Sequence, residues 1–194
     1  MSTNVIHREA PTFDKPPRKI SIQTFLRKYS KGGPGIKYEY NQGVIEKYEA
    51  MKLKEQYIAY NIQKAFSGTA AARNGGQMVQ ELEVWTSATQ WRKPDLCFIT
   101  LSQIRAGAEG YEPIPEFVIE AISANDKISM VKNKVYEYFE AGVKVLWQIF
   151  PEHKMVEVYR ASEMVELCSG SRLCSAEPVV EGLVMKAEDI FREV

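Results

Sequence analysis

Two carboxylates set inside apolar stretches limit what this chain can fold into. Asp95 opens the run Lys93-Pro-Asp-Leu-Cys-Phe-Ile-Thr100, and Glu120 lies within Pro115-Glu-Phe-Val-Ile-Glu-Ala-Ile-Ser123. Glu120 has Val118, Ile119, Ala121 and Ile122 as neighbours, so alternation between a wet and a dry face does not account for it. A buried carboxylate is costly unless a cation, a metal or a hydrogen-bond network compensates it. Two of them on neighbouring strands, with a lysine nearby, suit a divalent-metal centre that activates water on a phosphodiester.

The surrounding pattern gives a mixed α/β chain built around one sheet, with helices flanking it. Ile20 to Ser30 spaces Ile22, Phe25, Leu26 and Tyr29 as a short amphipathic helix, which the Gly-rich segment 31–35 breaks. Ile36 to Lys47 alternates around Asn41-Gln-Gly43 and reads as a hairpin. Met51 to Phe66 has helical periodicity. Strands are expected over Met78 to Trp85, Asp95 to Thr100 and Phe117 to Ile122, with a Gly- and Pro-rich loop before the last. The helix Ile128 to Ala141 ends at Gly142, a suitable left-handed terminus. Val143 to Phe150 is apolar enough for a central strand, and Met155 to Tyr159, Met164 to Cys168 and Leu183 to Met185 complete a strand-rich C-terminal part. Residues 1–17 are polar and proline-broken and read as a disordered tail, leaving 18–194 as one domain.

Charge narrows the partners only locally. Formal net charge is zero, so nothing global argues for nucleic acid. Yet Met1 to Lys37 carries eight Lys and Arg against two Asp and Glu, a net of +6. Such an arm can touch phosphates or simply be a solvated tail. No stretch is apolar enough to span a membrane, and no leader is visible at the N-terminus. Three cysteines without a dense framework point to reduced thiols and the cytoplasm. Cys168 and Cys174 flank a Gly-Ser turn and are close enough in sequence to meet across a hairpin. Trp85, Trp91 and Trp147 read as packing residues.

The ordered motifs Lys93-Pro-Asp95, Glu120 in Phe-Val-Ile-Glu-Ala-Ile-Ser123, Lys134 with Tyr138 and Gly142, and Val-Leu-Trp-Gln-Ile-Phe-Pro151 resemble the Uma-two family. These are restriction-endonuclease-like proteins of the PD-(D/E)XK nuclease superfamily. The resemblance runs from Tyr38-Glu-Tyr-Asn-Gln-Gly43 to Val-Met-Lys-Ala-Glu-Asp-Ile-Phe191. It implies a nuclease core with a mixed sheet and a site that takes Mg²⁺ or Mn²⁺. Asp95, Glu120 and the backbone carbonyl of Ala121 would be the metal ligands, and hard oxygen donors suit those ions.

The lysine of the superfamily's Glu-X-Lys pattern is missing, because Ile122 stands in its place. The resemblance places the lysine on the following helix at Lys134. Periodicity agrees, since Val131, Lys134, Val135 and Tyr138 share a face. Lys134 can also snorkel to water, and Lys132, Lys127 and Lys93 are alternatives. Glu55 is a fourth candidate, on the apolar face of its helix with Ile58 and Ile62, where the superfamily often places a glutamate beside the metal. An exposed glutamate at the face edge fits the same spacing. Glu39 and Glu81 are weaker, and His7 and His153 lie in a tail and a turn. The expected function is Mg²⁺-dependent hydrolysis of DNA by a homodimer, with Lys134 positioning water or neutralising charge. The alternative is a nuclease fold retained for DNA binding or protein assembly.

Overall fold

The computed structural model describes residues 17–193. The expected disordered tail, apart from residue 17, falls outside the described residues, as do His7 and, of the basic arm, Arg8 and Lys15.

Six strands form the larger sheet. Their order is β10 (Met164–Ser169), β9 (Met155–Ala161), β8 (Val145–Phe150), β7 (Phe117–Ala121), β6 (Leu96–Ile99) and β3 (Gln77–Val79). All neighbours run antiparallel except β7 and β8, which are parallel. A parallel pair needs a crossover, and helix α5 (Ile128–Ala141) supplies it. Gly142 ends α5 at φ 110°, where a side chain would be strained. A second sheet orders β2 (Val44–Glu49), β1 (Ile36–Asn41), β5 (Gln90–Arg92) and β4 (Val84–Ser87). Helix α1 (Ile22–Lys28) is pinned to this sheet by Phe25 against Tyr40 and Trp91. A two-stranded ribbon, β11 (Leu173–Ser175) with β12 (Val184–Lys186), completes the C-terminal part.

The two faces of the large sheet differ. Leu96, Phe98, Phe117, Ile119, Val145 and Trp147 face helix α2 (Gln56–Ser67) and form the larger core with Ile58, Ile62 and Phe66. Cys97, Val118 and Leu146 face α5 and pack on Val135 and Tyr138. Strand side chains alternate, so Asp95, Glu120 and Gln148 share the α5 side with Cys97, Val118 and Leu146. Strand β4 of the second sheet packs on α5. The carboxylates therefore lie under a roof of α5 and the smaller sheet.

Several expectations need correction. Met78 to Trp85 is two strands in different sheets, because Glu81 turns the chain at φ 50°. The helix expected from Met51 begins at Gln56, after a 3₁₀ turn Leu53–Glu55. The loop expected after Thr100 begins as helix α4 (Leu101–Ala108), opened by a capping box between Thr100 and Gln103. Cys97, Cys168 and Cys174 are all buried with free thiols. Trp91 and Trp147 are core residues as read.

Candidate active site

The antiparallel register of β6 and β7 builds the site. Leu96 pairs with Ile119, and continuing that register by one residue sets Asp95 opposite Glu120. Asp95 Oδ2 accepts the Ala121 N–H at 2.7 Å, which fixes its rotamer against the β7 backbone. Both carboxylates are buried, with Asp95 4% and Glu120 3% exposed. Their compensation comes from two directions.

The first cation is Lys134. It projects from the buried face of α5, and its Nζ lies 3.0 Å from Glu120 Oε1 and 2.9 Å from Glu39 Oε2. The Tyr138 hydroxyl, one helical turn later, donates to the same Glu120 oxygen at 2.6 Å. The Tyr48 ring lies under the Lys134 ammonium, 4.1 Å from Nζ to centroid. Burial alone would lower the Lys134 pKa, but Glu120 and then Glu39 outweigh it and raise it, so the ammonium stays charged.

Lys37 is the second cation. In β1, Lys37 and Glu39 are two residues apart, so both point inward. Lys37 Nζ is 2.8 Å from Asp95 Oδ1 and 3.4 Å from Glu120 Oε2. Burial opposes its charge, and Asp95 and then Glu120 overcome that and raise the Lys37 pKa. Burial also raises the Asp95 carboxyl, against the pull of Lys37.

Glu39 links this cluster to a third cation, Arg92, whose guanidinium is 1% exposed. Arg92 donates from Nε to Glu137 Oε1 at 2.8 Å and from Nη1 to Glu39 Oε2 at 3.1 Å, and it also closes on Glu46. Burial would raise the Glu39 carboxyl, but Lys134, Lys37 and Arg92 hold it down at about 2. The assembly thus sets five carboxylates, Glu39, Glu46, Asp95, Glu120 and Glu137, around three cations.

The other sequence candidates lie elsewhere. Glu55 accepts the Lys52 N–H at 3.2 Å and borders a small hollow beside Ala121 and Ile122. Among the described residues no hydrogen bond or ion pair joins it to Asp95 or Glu120. Lys132 pairs with Glu157 at 2.9 Å, and Lys93 with Glu81 at 3.6 Å. Lys127 is exposed. Lys37 escaped the sequence reading because it looked like the end of a basic arm. Its visible signal was the Lys-x-Glu alternation with Glu39 in a hairpin strand.

No set of three or more His, Cys, Asp and Glu side chains arranged for a metal ion occurs among the described residues. What the site offers is two carboxylates converging on one cation, the Lys37 ammonium, in a neighbourhood where carboxylates outnumber cations. That donor chemistry, hard anionic oxygens with negative charge to spare, fits a divalent ion such as Mg²⁺.

The architecture is that of a nuclease fold. It superimposes on the crystal structure of a "putative nuclease belonging to DUF820" from Anabaena variabilis, with a TM-score of 0.73 and 20% identity over 89% of this chain and 97% of that one. The chain also matches the family described as "Uma2: Putative restriction endonuclease" over residues 22–188. It belongs to the Uma2 family. No curated protein matches it.

Proposed function

We propose that the chain is a divalent-metal-dependent endonuclease that adds water across a phosphodiester bond of DNA. The observation that carries this reading is the convergence of Asp95 and Glu120 on one cation, 2.8 and 3.4 Å from Lys37 Nζ. Asp95, Glu120 and the Ala121 carbonyl would hold Mg²⁺ or Mn²⁺. Such an ion supplies Lewis acidity to the phosphate and lowers the pKa of a bound water. Lys134 and Tyr138 orient the Glu120 carboxylate. Ala121 N–H orients Asp95. The buried Glu39–Arg92–Glu137 network holds β1 and α5 against each other, which sets the distance between Lys37 and Lys134. Three free cysteines fit a reducing compartment, and we place the protein in the cytoplasm. No helix among the described residues is long and apolar enough to cross a membrane.

Incubation with supercoiled plasmid and Mg²⁺ or Mn²⁺ tests the reading. The wild type should nick or linearise it, and Asp95→Asn and Glu120→Gln should each lower the rate by about a hundredfold or more. Cleavage retained in either variant, free of contaminating nuclease, would overturn it.

A second reading rests on the completeness of the ion-pair network without any metal and on the absent Glu-X-Lys lysine. Here the fold serves DNA binding or assembly without cleavage. DNA retained on the protein in EDTA, with no cutting in either metal, would favour it.

A further inference from the structure

We propose that Lys37 is the built-in occupant of the cation position and has to withdraw before Asp95 and Glu120 can hold a divalent ion. The inference rests on the metal-dependent reading above and concerns what that site requires. The argument runs oxygen by oxygen. Asp95 Oδ2 is taken by the Ala121 N–H at 2.7 Å. Glu120 Oε1 is taken twice, by Lys134 at 3.0 Å and by the Tyr138 hydroxyl at 2.6 Å. The two oxygens that remain are Asp95 Oδ1 and Glu120 Oε2, and both face Lys37 Nζ, at 2.8 and 3.4 Å.

A divalent ion bound to those oxygens needs contacts of roughly 2.0–2.6 Å. It would then share the ammonium's place, and two cations in one buried position repel strongly. One of them must leave. The lysine is tethered to β1 but carries a flexible four-carbon stem, and a third carboxylate stands beside it: Glu39 Oε1 is 3.9 Å from Nζ. That oxygen already accepts from Lys134 Nζ at 3.0 Å and from the Lys93 N–H at 3.2 Å, so the displaced ammonium swings outward to water on its stem. Lys134 cannot play the same part, because its bonds go to Glu39 and to the other Glu120 oxygen. Without an ion, Lys37 neutralises the carboxylates and keeps them together. The cost of moving Lys37 sets the ion concentration at which the site loads.

Titration with Mn²⁺ alone, by calorimetry, tests this on the whole chain. Lys37→Met should bind Mn²⁺ about tenfold more tightly than the wild type, or bind it where the wild type shows none. Lys37→Arg, which keeps the charge, should bind no better than the wild type. Adding Asp95→Asn to Lys37→Met should abolish the gain. Equal, Asp95-dependent binding by wild type and Lys37→Met would overturn the inference and leave the nuclease reading standing. No Mn²⁺ binding by either would overturn both. If Lys37→Met is unfolded in EDTA, Mn²⁺ should refold it, as seen by circular dichroism, and failure to refold at saturating Mn²⁺ counts against the inference. A wild-type readout needs no variant. Lys37 is 4% exposed and should resist acylation, and Mn²⁺ should raise its labelling relative to Lys134, read by mass spectrometry. Unchanged labelling with the ion bound would also overturn it.

Discussion

Lys134 Nζ lies 3.0 Å from Glu120 Oε1, although a change from strand to helix and 14 residues of chain separate them. The pair joins the centre of the large sheet to the helix that crosses over it. Removing one partner takes a compensating charge out of a buried network and leaves the rest unbalanced. Lys134→Met should therefore destabilise the fold by about 3–5 kcal/mol in urea unfolding. Lys134→Met with Glu120→Gln should lose less than the sum of the singles, with a coupling of about 1–3 kcal/mol. Strict additivity would show that the contact does not operate in solution.

Glu39 gives a dependence on pH whose sign can be worked out. Its folded carboxyl sits at about 2, below the ordinary 4.5, because three cations outweigh its burial. A depressed folded pKa stabilises the protein above the unfolded value and loses that contribution as pH falls through the folded one. The window is therefore pH 4.5 down to about 2. The shift corresponds to an upper figure of about 3 kcal/mol. Glu39→Gln lacks this contribution. The stability gap between wild type and Glu39→Gln should be widest at pH 7 and narrow steadily below 4.5. A gap that stays constant from neutral pH to pH 3 would contradict the ion pairing.

Much of this site could be read from local pattern. Helix α5 falls at Ile128–Ala141 in both readings, since a clear 3.6-residue period and a terminal glycine define it locally. Asp95 and Glu120 stood out because charge interrupts an apolar run, and Lys134 because it interrupts an apolar helical face. Lys37 and Arg92 did not stand out. Each lies in a short strand of the second sheet, and only the packing of that sheet on α5 makes them interior. Pairing between β1 and β5 spans about fifty residues of chain, and no local period encodes it. The division at Glu81 was missed for a similar reason. A single left-handed residue moves the chain from one sheet to the other, and its neighbours remain strand-like in composition.

Arg92 should not tolerate replacement by lysine. Its fork reaches Glu137 with two nitrogens while a third contact goes to Glu39 at 3.1 Å. An ammonium cannot hold three carboxylates in that planar arrangement. Arg92→Lys should cost about 2–4 kcal/mol in urea unfolding, and Arg92→Met somewhat more, through the carboxylates left buried. A loss within about 0.5 kcal/mol for Arg92→Lys would mean that the network is not formed as described.

The last expectation concerns assembly, which we propose is a homodimer. Strand β10 is the edge of the large sheet, and it leaves Met164 65%, Val165 51% and Leu167 48% exposed. An edge strand offers unpaired backbone groups, and this one lacks the lysine or proline that commonly guards such an edge. Antiparallel pairing of β10 with its copy about a two-fold axis would continue the sheet and cover those side chains, and two-fold dimers are the commonest closed assembly. It would also carry two sites, as nucleases that cut both DNA strands commonly do. Light scattering at micromolar concentration should give twice the 22.1 kDa of one chain. Val165→Lys, which places a charge on the exposed edge away from the ion-pair network, should return the mass to one chain with the circular dichroism spectrum unchanged. A wild-type mass of 22.1 kDa would rule the dimer out. A dimer that survives Val165→Lys would place the interface on another surface.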